Sequence, residues 1–213
     1  KGSVQVSADP RIAHTLNLMF DDYGRALQSV AVVYPRSVDY EDQDKLLKPE
    51  QLALIHKVQS ERQIAYTEMH FTHELPANPD RHRLPAPCET LTYELTGDDD
   101  FVPSSGLYFT INDFKSFNLT NDLPGQGMKP VIKLDYQQQP ANKKAHIRII
   151  DWVRILYFKD DLSGPLDFGL PSRLGLTYET YKLALTEVLL TDVLNEKFDA
   201  SVRAALNKDS TSI

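Results

Sequence analysis

Hydrophobic and polar residues alternate with a two-residue period at several places along the chain. Ile12, His14, Leu16, Leu18 and Phe20 fall on one face of an extended segment, and Val30, Val32 and Tyr34 on one face of the next. Asp22-Tyr23-Gly24-Arg25 lies between them, with Gly24 where a tight turn needs a residue free of the Cβ clash at positive φ. This pattern predicts a β-hairpin over Ile12–Tyr34. Alternation returns over Ile64–Glu74, and more clearly over Cys88–Thr96, where Leu91, Tyr93 and Leu95 oppose Thr90, Thr92 and Glu94. Val131–Gln137 and Tyr178–Thr186 read as further strands.

Lys144–Lys159 is the longest strand candidate. Ala145, Ile147, Ile149, Val153, Ile155 and Tyr157 share a face, with Asp151 as the exception. At ~3.3 Å per residue it could reach roughly 50 Å, which implies a large sheet or a bulge near Asp151.

Helical spacing is confined to shorter stretches. Pro49 suits a first helical position, and Leu52, Ile55 and Val58 follow at intervals of three. Thr110 and Asp113 have capping-box spacing ahead of a short helix to about Phe117. Thr186 can cap a helix from Glu187 to about residue 208, with Leu190, Val193, Leu194, Phe198, Val202, Ala205 and Leu206 as its stripe. Asp199 could instead restart a second helix. Leu75–Pro87, Gly97–Gly106 and Asn121–Lys129 read as loops. The expected fold class is therefore α+β and β-dominated: antiparallel sheet of long strands, a C-terminal helix and one or two short helices. Residues 1–213 are read as a single β-rich segment of a larger protein, with 1–8 as an expression scar or linker.

Composition narrows the function classes. The 213 residues carry a formal charge of −7, which argues against a nucleic-acid groove built from clustered Lys and Arg. Hydrophobic residues make up 41% and are spread along the chain, so a folded core is expected. No run of about 18 apolar residues occurs, so no bilayer-spanning helix is expected. Cys88 is the sole cysteine, which excludes an internal disulfide.

Candidate chemistry is sparse. Glu68, His70 and His73 lie together, but His73 points away from the other two, so a polar sheet face is favoured over a metal site. Cys88 lacks a nucleophile motif and reads as a small buried hydrophobe. Asp98-Asp99-Asp100 lacks the alternating ligands of a calcium loop and reads as a solvated turn. Gly125-Gln126-Gly127 lacks the third glycine and the following helix of a dinucleotide fingerprint. Lys143, Lys144, Arg148, Trp152 and Arg154 mix base and aromatic, as nucleic-acid sites do, but fit the solvated half of a strand better. Asn118-Leu119-Thr120 is a glycosylation sequon by pattern only. No catalytic, cofactor-binding or metal residue is assigned.

A family resemblance rests on ordered blocks. They are Asp9-Pro10-Arg11-Ile12-Ala13-His14, Asp22-Tyr23-Gly24, Ser29-Val30-Ala31-Val32, Glu41-Asp42-Gln43 and Tyr66-Thr67-Glu68. Leu84-Pro85-Ala86-Pro87-Cys88-Glu89-Thr90 with Tyr93-Glu94-Leu95-Thr96-Gly97 follows, and then Tyr181-Lys182-Leu183-Ala184-Leu185-Thr186. In this order they resemble the middle-to-C-terminal region of the B component of bacterial insecticidal toxin complexes, and the Asp22–Leu27 turn resembles that of Rhs/YD repeats. The resemblance implies a secreted bacterial protein and a structural role. In that family the B and C components form a β-sheet cocoon around the toxic C-terminal part of C, which an A component delivers. The self-cleaving aspartyl motif of the C component is absent here, so no catalytic residue is carried over. The implied partners are the C and A components, without nucleic acid or direct membrane insertion, and self-association of the chain is expected. Two other readings stay open: a free-standing β-rich module for glycan or protein, and a hydrolase using the His and carboxylates.

Overall fold

The computed structural model describes residues 10–42, 44–74, 83–119 and 127–209. Among the described residues seven strands form one sheet: β1 (Ala13–Phe20), β2 (Ala26–Val33), β3 (Gln63–Phe71), β4 (Pro87–Thr96), β5 (Ile132–Leu134), β6 (His146–Tyr157) and β7 (Thr177–Lys182). Their order is β1-β2-β3-β4-β6-β5, and β7 also pairs with β6. The β1–β2, β2–β3 and β6–β7 pairs are antiparallel. The described residues also form four α-helices: α1 (Pro49–Ser60), α2 (Ile111–Lys115), α3 (Glu187–Leu194) and α4 (Ala200–Asp209). The expected β-dominated α+β class is the observed one.

The described residues divide into two compact units. The first draws on Lys1–Glu68, Thr92–Ile132 and Asn142–Ile147, and the second on Met69–Leu91, Lys133–Ala141 and Arg148–Ile213.

The first unit holds the main apolar core. Leu16 and Leu18 of β1 and Val30 and Val32 of β2 are buried, as their shared faces predict. Ile64, Tyr66 and Leu95 continue this layer, and Phe101, Phe109, Phe114 and Phe117 pack on it from the segment after β4. Tyr34 joins the aromatic group edge-on to Tyr108 at 5.0 Å, and its hydroxyl accepts the Phe109 N–H at 2.8 Å. Phe20 departs from its predicted face and is exposed. The β1–β2 register shifts between Asn17 and Met19 and again before Phe20, so the alternation loses phase there.

The hairpin turn is fastened by one side chain. Asp21 Oδ1 accepts the Tyr23 and Arg25 N–H groups at 3.0 and 2.9 Å, and its Oδ2 accepts Arg25 Nε at 2.6 Å. Gly24 has φ +77°, and a Cβ there would meet nothing within 4 Å. Gly24→Ala should therefore cost only the backbone strain, about 1 kcal/mol in urea unfolding. A loss as large as that of a core truncation would contradict this account.

The segment after β4 is less solvated than its acidic sequence suggests. Phe101 within it is buried, and Asp100 Oδ2 accepts the Ala145 N–H at 2.7 Å. Asp98 and Asp99 alone behave as a solvent-facing turn. Arg62 holds the same segment, donating to the Phe101 carbonyl at 2.7 Å with its guanidinium over the Phe109 ring.

Helix ends follow their local signals. Gln51 Oε1 accepts the Lys48 N–H at 2.9 Å ahead of Pro49. Asp113 Oδ2 accepts the Thr110 N–H at 2.7 Å, and α2 ends at Lys115, short of Phe117. Thr186 Oγ1 accepts the Leu189 N–H at 3.2 Å.

Two longer readings are corrected. The strand expected over Val131–Gln137 keeps only Ile132–Leu134, because Asp135 and Gln138 close a turn through Gln138 N–H to Asp135 O at 2.9 Å. The C-terminal helical stripe is broken at Asn195–Lys197, where Asn195 takes φ +48°. Asp199 Oδ1 then accepts the Ser201 and Val202 N–H groups and opens α4.

Candidate functional site

The densest polar arrangement lies in the second unit, around Glu89 on β4. Cys88 and Glu89 are both buried although successive strand residues point to opposite faces, so both faces of β4 are covered at this point. Glu89 Oε1 accepts Trp152 Nε1–H at 2.7 Å and Arg154 Nε–H at 2.6 Å, both from β6. Trp152 and Arg154 are two residues apart, which puts them on one strand face. His70 Nδ1, from β3, lies 2.7 Å from Glu89 Oε2. An ionised carboxylate only accepts, so that nitrogen carries the proton. The Arg154 guanidinium sits over the rings of Trp152 and Phe168, at 4.6 and 4.7 Å.

Electrostatics keep this carboxylate charged. Burial alone would raise the Glu89 pKa, but donation from Arg154, His70 and Trp152 outweighs it and holds the value below the ordinary one of 4.5. Three donors already occupy its oxygens, so Glu89 is poorly placed to act as a general base and well placed as a strut joining three strands. A depressed carboxylate pKa stabilises the folded state above the unfolded value, and that contribution is lost as pH falls through the folded value. Stability of the second unit should therefore be flat at neutral pH and fall in acid below the ordinary glutamate range. Urea midpoints measured from pH 7 to pH 3 check this, and a rise in stability on acidification would contradict it.

The other sequence candidates are dispersed. His70 is committed to Glu89, while buried Glu68 accepts the Tyr66 hydroxyl at 2.8 Å. The His73 N–H donates to the Gly169 carbonyl at 2.9 Å. No group of three or more His, Cys, Asp or Glu among the described residues is placed to hold a metal ion. Burial, with the negative charge of Glu89 beside it, pushes the Cys88 thiol up to about 11. The thiolate is the reactive form, so native protein should resist a disulfide reagent at pH 8 and react at once in denaturant. Rapid stoichiometric labelling of the native chain would overturn that expectation.

Of the basic-aromatic group, Trp152 and Arg154 turn to Glu89 rather than to solvent, which corrects the expected solvated strand half. Arg148 donates to the Tyr136 carbonyl at 3.3 Å. A cleft of about 440 Å³ in the first unit is lined by Asp99, Asp100, Val102, Asp113, Phe117 and Lys129, among others. Asp100 is bonded to Ala145 N–H, and Asp113 accepts the Ser104 and Thr110 N–H groups, so its carboxylates are largely engaged. Gly125, Gln126 and the sequon residue Thr120 lie outside the described residues.

Sequence reasoning missed the Glu89 strut. The available signal was a carboxylate in a strongly alternating strand beside a cysteine, with an Arg and the sole Trp two residues apart on another strand. Nothing in their spacing pairs residues 63 and 65 positions apart.

The polar groups around Glu89 are bonded to one another across three strands. Residues 4–84 match the family described as insecticide toxin TcdB middle/C-terminal region. Over that stretch the chain is similar to that family. The fold extends the likeness further. It is similar to a chain in the crystal structure of TcdB2-TccC3, with a TM-score of 0.58 and 18% identity over 94% of the present chain. It is also similar to a chain of the Photorhabdus luminescens Tc holotoxin pore carrying a TccC3 mutation, with a TM-score of 0.56 and 18% identity over 94% of the chain. The present chain spans 8% of the length of each. No curated protein sequence matches it. The TcdB-like hairpin blocks Asp9–His14, Asp22–Gly24 and Ser29–Val32 all fall inside the matched stretch. Among the described residues no helix is long and apolar enough to cross a membrane.

Proposed function

We propose that this chain is a non-catalytic wall segment of a toxin-complex B subunit. In this reading it is one β-rich piece of the cocoon that encloses the toxic C-terminal part of the C component in a secreted bacterial complex. The observation that carries the reading is the shared fold over 94% of the chain with a chain of a TcdB2-TccC3 structure, of which it spans 8%. A piece this small within so long a chain is expected to supply wall rather than the whole activity. The occupied state of Glu89, Asp100 and Asp113 favours holding over catalysis. The partners under this proposal are the C component directly and the A component through the rest of the parent protein. Strands at a sheet border offer unpaired backbone groups, so the isolated chain is expected to self-associate, which light scattering over a concentration series reads directly.

The deciding experiment is electron cryo-microscopy of the parent B subunit co-assembled with its C component. The seven-stranded sheet should lie in the wall of a closed shell. Finding it as a separate lobe outside any shell, or finding a parent that forms no shell with C, would sink the proposal.

A further inference from the structure

Buried apolar side chains are shared unequally between the two units. The first unit buries fourteen in one cluster, including Val30, Val32, Tyr66, Phe101 and Phe114 at 0–1% exposure. Among the described residues of the second unit, the buried apolar side chains are Cys88, Tyr157 and Phe198. Burial of large apolar side chains is the dominant favourable contribution to folding, so the imbalance favours the first unit heavily.

Polar contacts do not redress it. The second unit is tied by the Glu89 strut and by ion pairs such as Arg173–Asp160 at 3.2 Å and Lys182–Asp151 at 3.3 Å. Those two pairs are partly exposed, where ion pairs contribute little. A buried ionic cluster roughly offsets its own desolvation cost, so it fixes geometry more than it adds stability. Helix α3 has eight residues and buries none of them, well below the length at which a helix holds by itself.

We infer that the second unit is a separate, weaker folding unit, which opens while the first remains folded. The chain thus has a self-sufficient half and a conditional half, and regions with few buried apolar contacts are where local opening is drawn from. This inference concerns the chain itself and does not depend on the cocoon reading.

The sole tryptophan, Trp152, lies in the second unit and bonds to Glu89, so its fluorescence follows that unit alone. Amide exchange of β1 and β2 follows the first. In a urea series on the full chain, the Trp152 emission shift should precede the loss of protection in Leu16–Val33. In native buffer those amides should be protected at least about tenfold more than Val153–Lys182. Val30→Ala should lower the midpoint read by exchange and leave the Trp152 midpoint in place. Coincident transitions, equal protection, or a Val30→Ala shift of both midpoints together would overturn the inference.

Discussion

Gly97→Ala should be the most damaging small substitution in the first unit, with a stability loss of about 3–5 kcal/mol. Gly97 follows β4 and has φ +134°, a region that side-chain-bearing residues rarely enter. A Cβ built there would lie 2.2 Å from the Lys144 carbonyl oxygen, 2.6 Å from its carbon and 2.8 Å from Ala145 Cα. All three are backbone atoms, so no side chain can swing aside. Moving that backbone would disturb the bond from Ala145 N–H to Asp100 Oδ2. It would also pull on the turn in which the Phe101 N–H donates to the Gly97 carbonyl at 2.9 Å. Phe101 contacts Phe117 at 4.6 Å between ring centroids, so the strain would reach the centre of the aromatic core. Urea unfolding read by amide exchange of β2 measures the effect, with Gly24→Ala as the control for backbone strain without a clash. Equal losses for the two variants would show that the close approach at Lys144 does not matter.

The contrast between these two glycines explains what the sequence could reveal. Gly24 announces itself locally, between two alternating runs and beside an Asp that caps the turn. The role of Gly97 depends on Lys144, which is distant in the chain, and its acidic neighbours disguise a buried corner as a solvated loop. The same division runs through the fold. The hairpin, the Pro49 helix start, the Thr110–Asp113 box and the Thr186 cap are set by neighbours within four residues, and all are present in the structure. The facing of Phe20 depends on a register shift against β2, which alternation within β1 does not carry. Alternation continues through Val131–Gln137, but the Asp135–Gln138 turn ends the strand at Leu134. Asp100, Glu89 and Arg154 acquire their roles from partners 45 to 65 residues away. Family blocks could be recognised in order, but none of them says which polar residues meet.

Glu89→Ala should lower the stability of the second unit by about 3 kcal/mol, the usual cost of stranding a buried partner charge. The loss comes from what remains. Arg154 Nε and Trp152 Nε1, 2.6 and 2.7 Å from the missing oxygen, would stay partly buried and lose their acceptor. Arg154 would still be held over the Trp152 and Phe168 rings, which makes escape to solvent costly. Glu89→Gln keeps one acceptor oxygen but presents an NH2 to a ring of donors, so it should fall between wild type and Glu89→Ala. Trp152 emission reads the change, through an earlier urea midpoint and a redder native spectrum. If the single loss reflects stranded donors rather than a large favourable ion-pair energy, a paired replacement should recover most of it. Glu89→Leu with Arg154→Met removes both charges and keeps apolar volume, so it should be more stable than either Glu89→Leu or Arg154→Met alone. Additive losses in that cycle would mean that the two side chains act independently, and the strut would then not be a unit. Recovery of stability with a changed Trp152 environment would instead show a cluster that fixes the geometry of β3, β4 and β6 around Glu89.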